Sequence, residues 1–170
     1  MTATVSPDLR ADVNLRAAAL FAAIDDHAEA DFFAAIDALV AELPADDPDG
    51  LFHRGCAQDS CGHSDRAVPL YRQALEKGLS GEHRRRAVIQ MSSSLRNIGQ
   101  VETALDLLLA ERENGSDHLD DALACTTALC LASLGREREG LSMVVVALAA
   151  HLPRYNRSMV NYGKALSESE

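Results

Sequence analysis

The chain has no tryptophan and few other aromatic residues, with three tyrosines and four phenylalanines in 170 residues. Alanine and leucine dominate its apolar residues instead. These two residues are typical of close-packed helices, whereas strands favour aromatic and β-branched residues. No segment shows the alternating pattern of a strand or the turn residues of a β-hairpin. The sequence therefore predicts an all-α fold.

Long apolar segments are also missing. The longest apolar run, Met143 to Ala150, is far too short to span a bilayer, and the first ten residues hold no apolar core of signal-peptide length. A chain of this size can bury roughly 70% of its unfolded surface without metals or disulfides. The four cysteines are therefore expected to stay reduced, which predicts a cytoplasmic protein that does not associate with membranes.

Positive charge is scarce, with 16 Lys and Arg against 26 Asp and Glu and a formal net charge of −10. This balance argues against nucleic acid as a partner, because most affinity for a duplex comes from neutralising its phosphates. The sequence also has no phosphate-cradling glycine loop, no nucleophile elbow and no His-Glu-x-x-His motif. It therefore predicts a protein that is not an enzyme and that needs no cofactor.

One pattern occurs three times at an almost constant distance. Each copy contains a glycine, and these glycines (Gly62, Gly99 and Gly135) are 37 and 36 residues apart. Small residues occur five positions after and seven positions before each glycine, and a large residue occurs nine positions after it. The small residues are Ala67, Ala104 and Gly140 after the glycines and Gly55, Ser92 and Ala128 before them; the large ones are Tyr71, Leu108 and Val144. Close helix crossings need such small residues beside large ones, so the period predicts stacked pairs of short helices.

The period also predicts the organisation of the chain as a single helical-repeat domain over residues 1–170. Its parts are a degenerate pair at 8–44, repeats at 49–79, 81–115 and 117–152, and a terminal helix at 154–166. We expect Ser64 to cap one helix and Ser116 or Asp117 to cap another.

The first helix carries its apolar residues on one stripe: Leu9, Val13, Ala17, Leu20 and Ile24. An end helix has few neighbours, so this stripe could form a homodimer, unless the second helix at 28–43 covers it.

These residues resemble the tetratricopeptide repeat, and most of all a short bacterial group of such proteins. The resemblance is carried by the repeated pattern and by the segments Ala67-Val68-Pro69-Leu70-Tyr71-Arg72, Arg84-Arg85-Arg86-Ala87-Val88-Ile89-Gln90, Ser94-Leu95-Arg96-Asn97 and His151-Leu152-Pro153-Arg154-Tyr155. It implies a right-handed α-solenoid of stacked antiparallel helix pairs, whose first helices line a concave groove that binds a protein or peptide. Glu111 departs from the pattern, because Ala74 and Ala147 are small at the same position.

The first helix of the central pair has one apolar side and one polar side. Val88, Met91, Leu95 and Ile98 form the apolar side; Arg86, Gln90, Ser93 and Asn97 lie opposite, flanked by Arg85 and Arg96. Arginines beside amides and a hydroxyl can bind carboxylates or backbone carbonyls, although every amphipathic helix also has a solvated side. We predict that Arg86, Gln90, Ser93, Arg96 and Asn97 bind an extended, acidic or carboxylate-bearing protein segment.

The same phase adds residues from the neighbouring first helices to the predicted groove. They are Asp49, His53, Cys56 and Ser60 on one side and Ala122, Thr126, Leu129 and Ser133 on the other. Of these, His53 and Thr126 are predicted contacts. The groove would be acidic at one end, basic in the middle and apolar towards the C-terminus.

A metal-binding or thiol-based regulatory protein is the alternative, through His53, Cys56, Cys61 and His63. On an unbroken helix, Cys56 and Cys61 would point about 140° apart, which argues against a shared metal. His53 and Cys56 could share a face, but buried thiols at helix crossings are the commoner arrangement. We expect no metal.

Overall fold

The structure is a computed structural model that describes residues 5–168, and all regular elements in this range are helical. The range contains nine α-helices: α1 Pro7–Ala22, α2 Glu29–Val40, α3 Pro48–Ser60, α4 Ser64–Glu76, α5 Gly81–Asn97, α6 Val101–Arg112, α7 Asp120–Ser133, α8 Glu137–Ala149 and α9 Asn156–Glu168. A short 3₁₀ helix, Ile24–Asp26, follows α1. None of these described helices is long and apolar enough to cross a membrane. The all-α prediction is confirmed for this range.

The helices form two compact units that divide within α5, between Ser94 and Leu95. In the first unit, α3 packs on α4, and α1 and α2 pack on each other and on α3. In the second unit, α6 packs on α7, α7 on α8, and α8 on α9. Consecutive helices are therefore neighbours from α1 to α4 and from α6 to α9, as expected for stacked helix pairs.

The three repeated glycines follow the first helices of the clear pairs. Gly62, Gly99 and Gly135 have φ values of 83°, 82° and 75°, in the left-handed region that favours glycine. After each glycine, the next amide donates to a carbonyl five positions earlier, as in the 2.9 Å bond from Arg136 N to Leu131 O. This closure leaves few helix-end carbonyls unpaired. The glycine phase in the sequence therefore reports where these helices end.

Two glycines show why the repeat needs small residues where helices cross. A Cβ atom on Gly55 would lie 2.9 Å from the Tyr71 ring, between α3 and α4. A Cβ atom on Gly140 would lie 2.8 Å from the Ala128 carbonyl oxygen, between α8 and α7. Both distances are too short for a carbon atom, so these glycines allow the close packing of each pair.

The apolar stripe of α1 is covered within the first unit. Val13 and Ala17 are fully buried and pack with Leu39 of α2 and with Leu43, which follows α2. This is the alternative to a dimer that the sequence left open. The stripe is therefore not a free surface.

Some local predictions were wrong. The predicted cap at Ser116 or Asp117 lies before the helix, because α7 begins only at Asp120. The Asp120 carboxylate accepts hydrogen bonds from the Ser116 hydroxyl and the Asp117 amide, so these residues form a turn instead. Ser64 is the first residue of α4 and not its cap, and His63 takes the cap position.

Three side chains are buried or exposed contrary to the sequence pattern. Ile98, predicted on the apolar side of its helix, lies after the end of α5 and is 38% exposed. Arg85, predicted beside the polar side, is 6% exposed. Glu111, which departs from the repeat pattern, is buried and accepts a hydrogen bond from Asn114.

Candidate functional site

The first unit brings together three of the predicted binding residues. Arg86 and Gln90 lie on α5, and His53 lies on α3. The Cys56 thiol of α3 donates to Gln90 Oε1 over 3.5 Å, which places the polar side of α5 against α3. Burial is the main influence on the pKa values of His53, which it lowers, and of Cys56, which it raises; the positive charge of Arg86 adds to the first shift and opposes the second.

Arg86 is held on an aromatic ring and remains open to solvent. Its Cζ lies 5.3 Å from the centroid of the buried Phe52 ring. Its side chain is 40% exposed, and Glu82 is 4.0 Å away, at the outer limit of an ion pair. Within residues 5–168 its guanidinium makes no hydrogen bond to a carboxylate. The guanidinium is thus positioned by a cation–π contact, and among the described residues its donors have no hydrogen-bond acceptor.

A second side chain of α5 fixes the same ring. His83 stacks on Phe52, with centroids 4.5 Å apart and planes inclined by 25°. Its Nδ1 lies 2.7 Å from Asp49 Oδ1, and Arg10 of α1 also pairs with Asp49. Burial acts to raise the pKa of Asp49, but hydrogen bonds from His83 and Arg10 outweigh it and lower the pKa. The Asp49 carboxylate is therefore charged at neutral pH and connects α1, α3 and α5.

His53, a predicted ligand contact, lies beneath the surface. It is 4% exposed, and its Nε2 lies 2.7 Å from Asn14 Oδ1 on α1. Burial lowers the pKa of His53 to about 4, with a further contribution from His83. The ring is therefore neutral at pH 7. Its single proton lies on Nε2, since Asn14 Oδ1 can only accept.

Cys56 contacts the Gln90 amide from beneath, as His53 contacts the Asn14 amide. Burial raises the pKa of the Cys56 thiol to about 11, so the sulfur keeps its proton and donates to Gln90 Oε1. This bond holds the amide oxygen of Gln90 towards α3. Ser93, one turn further along α5, is half-buried, and its hydroxyl makes no hydrogen bond within the described range.

The second unit contains the other predicted contacts. Arg96 Nη2 donates to Asn97 Oδ1 over 3.1 Å at the end of α5. Arg96 Nε is buried and has no hydrogen-bond partner among the described residues. The Thr126 hydroxyl donates to the Ala122 carbonyl of its own helix over 2.9 Å. Leu129, on the same helix, is 52% exposed, so the predicted contact side of α7 is mainly apolar.

The four residues of the metal-binding alternative do not come together in the part of the chain that the structure describes. His53 bonds to Asn14, Cys56 to Gln90, and His63 to Glu29 over 2.8 Å. All four cysteines lie in the described range and are free. In the part of the chain that the structure describes, no three His, Cys, Asp or Glu side chains are placed to share a metal ion. Three of the four residues of the alternative function, His53, Cys56 and His63, therefore have separate partners.

Sequence reasoning missed three residues of this site. Phe52 and His83 hold Arg86 in place, and Asn14 contributes an amide from α1. The available signal was weak: His83 precedes Arg86 by three residues and so shares its helix face. Nothing in the local sequence connects Asn14 with His53, because 39 residues separate them.

The comparisons with known proteins identify the family. A family model described as tetratrico peptide repeat matches residues 48–166, from the first turn of α3 into the last turns of α9. Searches of curated proteins and of solved structures each gave no significant match. The helical succession and the glycine-closed pairs agree with the family, which forms α-solenoids and is generally non-catalytic. The chain belongs to the tetratricopeptide repeat family.

Proposed function

We propose that this protein is a non-catalytic interaction scaffold, and that Arg86 and Gln90 bind an extended protein segment rich in carboxylates. Family membership supports the scaffold role. One observation carries the ligand chemistry: the Arg86 guanidinium lies on Phe52, is accessible, and has no carboxylate closer than 4.0 Å. An arginine held in this way can bind a carboxylate with two parallel hydrogen bonds.

Gln90 makes the same surface favour hydrogen-bond acceptors. The Cys56 thiol holds the amide oxygen of Gln90 towards α3, and the Gln90 NH₂ group, which makes no hydrogen bond within the described residues, is left to donate to a ligand. Arg86 has only donors. Carboxylates and backbone carbonyls satisfy such a surface, whereas a lysine-rich segment would leave its own donors without acceptors.

The charge of the whole protein is consistent with a local basic site. A net charge of −10 repels an acidic partner, so attraction must come from a small region. The proposed ligand therefore contacts Arg86 directly, and its binding weakens as salt screens the charges.

The remaining predicted contacts have different parts in the proposal. Ser93 contributes a hydroxyl beside Gln90, and His53 acts from beneath the surface. In the second unit, Arg96, Asn97 and Thr126 stay proposed contacts, with Thr126 contributing its methyl group. The four free thiols support a reducing compartment, so we place the protein in the cytoplasm.

A homodimer through α1 remains a separate proposal, on the surface of the helix beside the buried Val13 and Ala17. On this surface Leu15 is 72% exposed. A groove of about 530 Å³ lies between α1 and α2, and its lining includes Ala19, Ala35 and Ala38. Light scattering tests it directly. A two-chain mass that falls to one chain in Leu15→Lys supports the dimer, and a one-chain mass at high concentration excludes it.

Selection from a library of displayed random peptides tests the ligand chemistry. We expect the wild-type protein to enrich peptides rich in Asp and Glu, because their carboxylates pair with Arg86. The variant Arg86→Glu should lose this enrichment. Enrichment of basic or purely apolar peptides by the wild-type protein would contradict the proposal.

A further inference from the structure

We infer that Asn14 of α1 is a second ligand-binding residue, which donates from its side-chain amide to a carboxylate or backbone carbonyl of the bound segment. This inference rests on the proposed function of the Arg86 surface. It extends that surface from α5 to the N-terminal helix, which lies outside the residues matched by the family model.

The orientation of the Asn14 amide is set by a buried partner. His53 donates from Nε2 to Asn14 Oδ1 over 2.7 Å, so the oxygen faces inward. The Asn14 side chain is half-buried, and its NH₂ group makes no hydrogen bond within residues 5–168. Both N–H groups of this amide are therefore left as donors for a ligand.

Asn14 is also held in place along α1. One turn earlier, Arg10 donates to Asp47 Oδ2 over 2.7 Å and pairs with Asp49. One turn later, Ala17 is fully buried. The backbone on both sides of Asn14 is thus fixed against the rest of the unit, so its amide loses little freedom on binding.

Ring contacts connect Asn14 with Arg86. The His53 ring, which holds Asn14, meets the His83 ring edge-on, with centroids 5.4 Å apart. His83 in turn stacks on Phe52, which carries Arg86. The rings that hold the Asn14 amide and the Arg86 guanidinium therefore belong to one packed group, in which Phe52 and His53 also meet directly.

The same arrangement occurs twice on α3. His53 and Cys56 are buried donors one helical turn apart, and each donates to the oxygen of an amide on a neighbouring helix. The NH₂ groups of Asn14 and Gln90 make no hydrogen bond within residues 5–168, so both remain able to donate to a ligand. A ligand that lies across α3 would meet donors from α1 and from α5. To pair with both sets of donors, a ligand must be an extended segment with acceptors along its length, such as an acidic peptide.

Nuclear magnetic resonance with a short oligoglutamate peptide tests the inference on the full chain. We expect the Asn14 side-chain NH₂ signals and the Arg86 guanidinium signal to shift together during the titration, with one dissociation constant. Asn14→Asp keeps an oxygen for His53 but replaces the donors with a negative charge. It should weaken binding by about tenfold or more. The control Asn161→Asp, the same change on an exposed residue of α9, should leave binding unchanged.

The outcomes separate this inference from the proposed function. If the Arg86 signal shifts while Asn14 stays unmoved and Asn14→Asp binds normally, the inference is wrong and the Arg86 site stands. If neither signal shifts, or if Arg86→Glu binds the peptide as well as the wild-type protein does, the proposed function fails and the inference fails with it. Thermal unfolding of each variant checks that lost binding does not come from lost structure.

Discussion

The guanidinium of Arg86 lies over the ring of Phe52, with Cζ 5.3 Å from the ring centroid. Phe52 is fully buried and is fixed from a second direction by His83, which Asp49 holds. An exposed arginine usually loses much side-chain entropy when it binds a ligand. The stacked arrangement has already restricted Arg86, so less entropy remains to be lost on binding.

Replacement of Arg86 by lysine tests this stacking. Lysine keeps the positive charge but lacks the planar group that lies on Phe52 and that pairs with two carboxylate oxygens. We expect Arg86→Lys to weaken acidic-peptide binding by about 0.5–1.5 kcal/mol, as for a cation–π contact at a partly exposed site. Isothermal calorimetry measures the change. Arg72→Lys on the exposed side of α4 is the control, and equal affinities for the two variants would show that stacking has no effect.

The buried His53 predicts how stability depends on pH. Its pKa is about 4 in the folded protein against an ordinary value of 6.5, so the unfolded chain takes up the proton first as pH falls. The contribution of His53 to stability is therefore complete above pH 6.5 and is lost as pH falls through the folded pKa. Between neutral pH and pH 4 the loss is about 3 kcal/mol, since each pKa unit corresponds to about 1.4 kcal/mol.

Urea unfolding at neutral pH and near pH 4 measures this loss. The control His53→Gln keeps an amide donor for Asn14 but cannot titrate. It should lose about 3 kcal/mol less stability than the wild-type protein over the same interval. If the free energy of unfolding fell by the same amount in both proteins, the pKa of His53 would not be lowered in the folded protein, which would contradict the prediction.

Two glycines of α3 give a matched test of helix packing. A Cβ atom on Gly55 would lie 2.9 Å from the Tyr71 ring, whereas the nearest atom to one on Gly50 would be 3.7 Å away. We expect Gly55→Ala to destabilise the fold by about 1–3 kcal/mol through overpacking. Gly50→Ala should stabilise it by up to about 1 kcal/mol, because alanine favours the helix and fits the space. Similar unfolding free energies for both variants would contradict the claim that close packing of α3 on Tyr71 requires a glycine at position 55.

The sequence predicted the helices well because their signals are local. The glycines at Gly62, Gly99 and Gly135 specify a left-handed residue, and the apolar period specifies the buried side of each helix. The start of α7 was missed for a local reason as well. The hydrogen bonds from Ser116 and Asp117 to Asp120 favour a turn where the sequence pattern also fits a helix start.

The candidate site was only partly predictable. The position of Arg86 on the polar side of α5 follows from helical periodicity alone. The burial of His53 does not, because it depends on α1 lying over α3. That packing involves Arg10 with Asp47 and His53 with Asn14, pairs that are 37 and 39 residues apart in the chain. A repeat pattern of one helix pair contains no information on such contacts, so neither the burial of His53 nor its bond to Asn14 could be predicted.

The affinity of an acidic peptide for Arg86→Glu, compared with Arg72→Glu, is the most direct test of the proposed site. Both variants make the same change of charge in the first unit, but only Arg86 lies on Phe52. We predict that Arg86→Glu loses about 1.5–3 kcal/mol, as for hydrogen bonds to a charged group, and that Arg72→Glu binds like the wild-type protein. The wild-type affinity should also fall as salt rises. Equal losses in both variants would show a nonspecific charge effect, and unchanged binding in Arg86→Glu would place the ligand elsewhere.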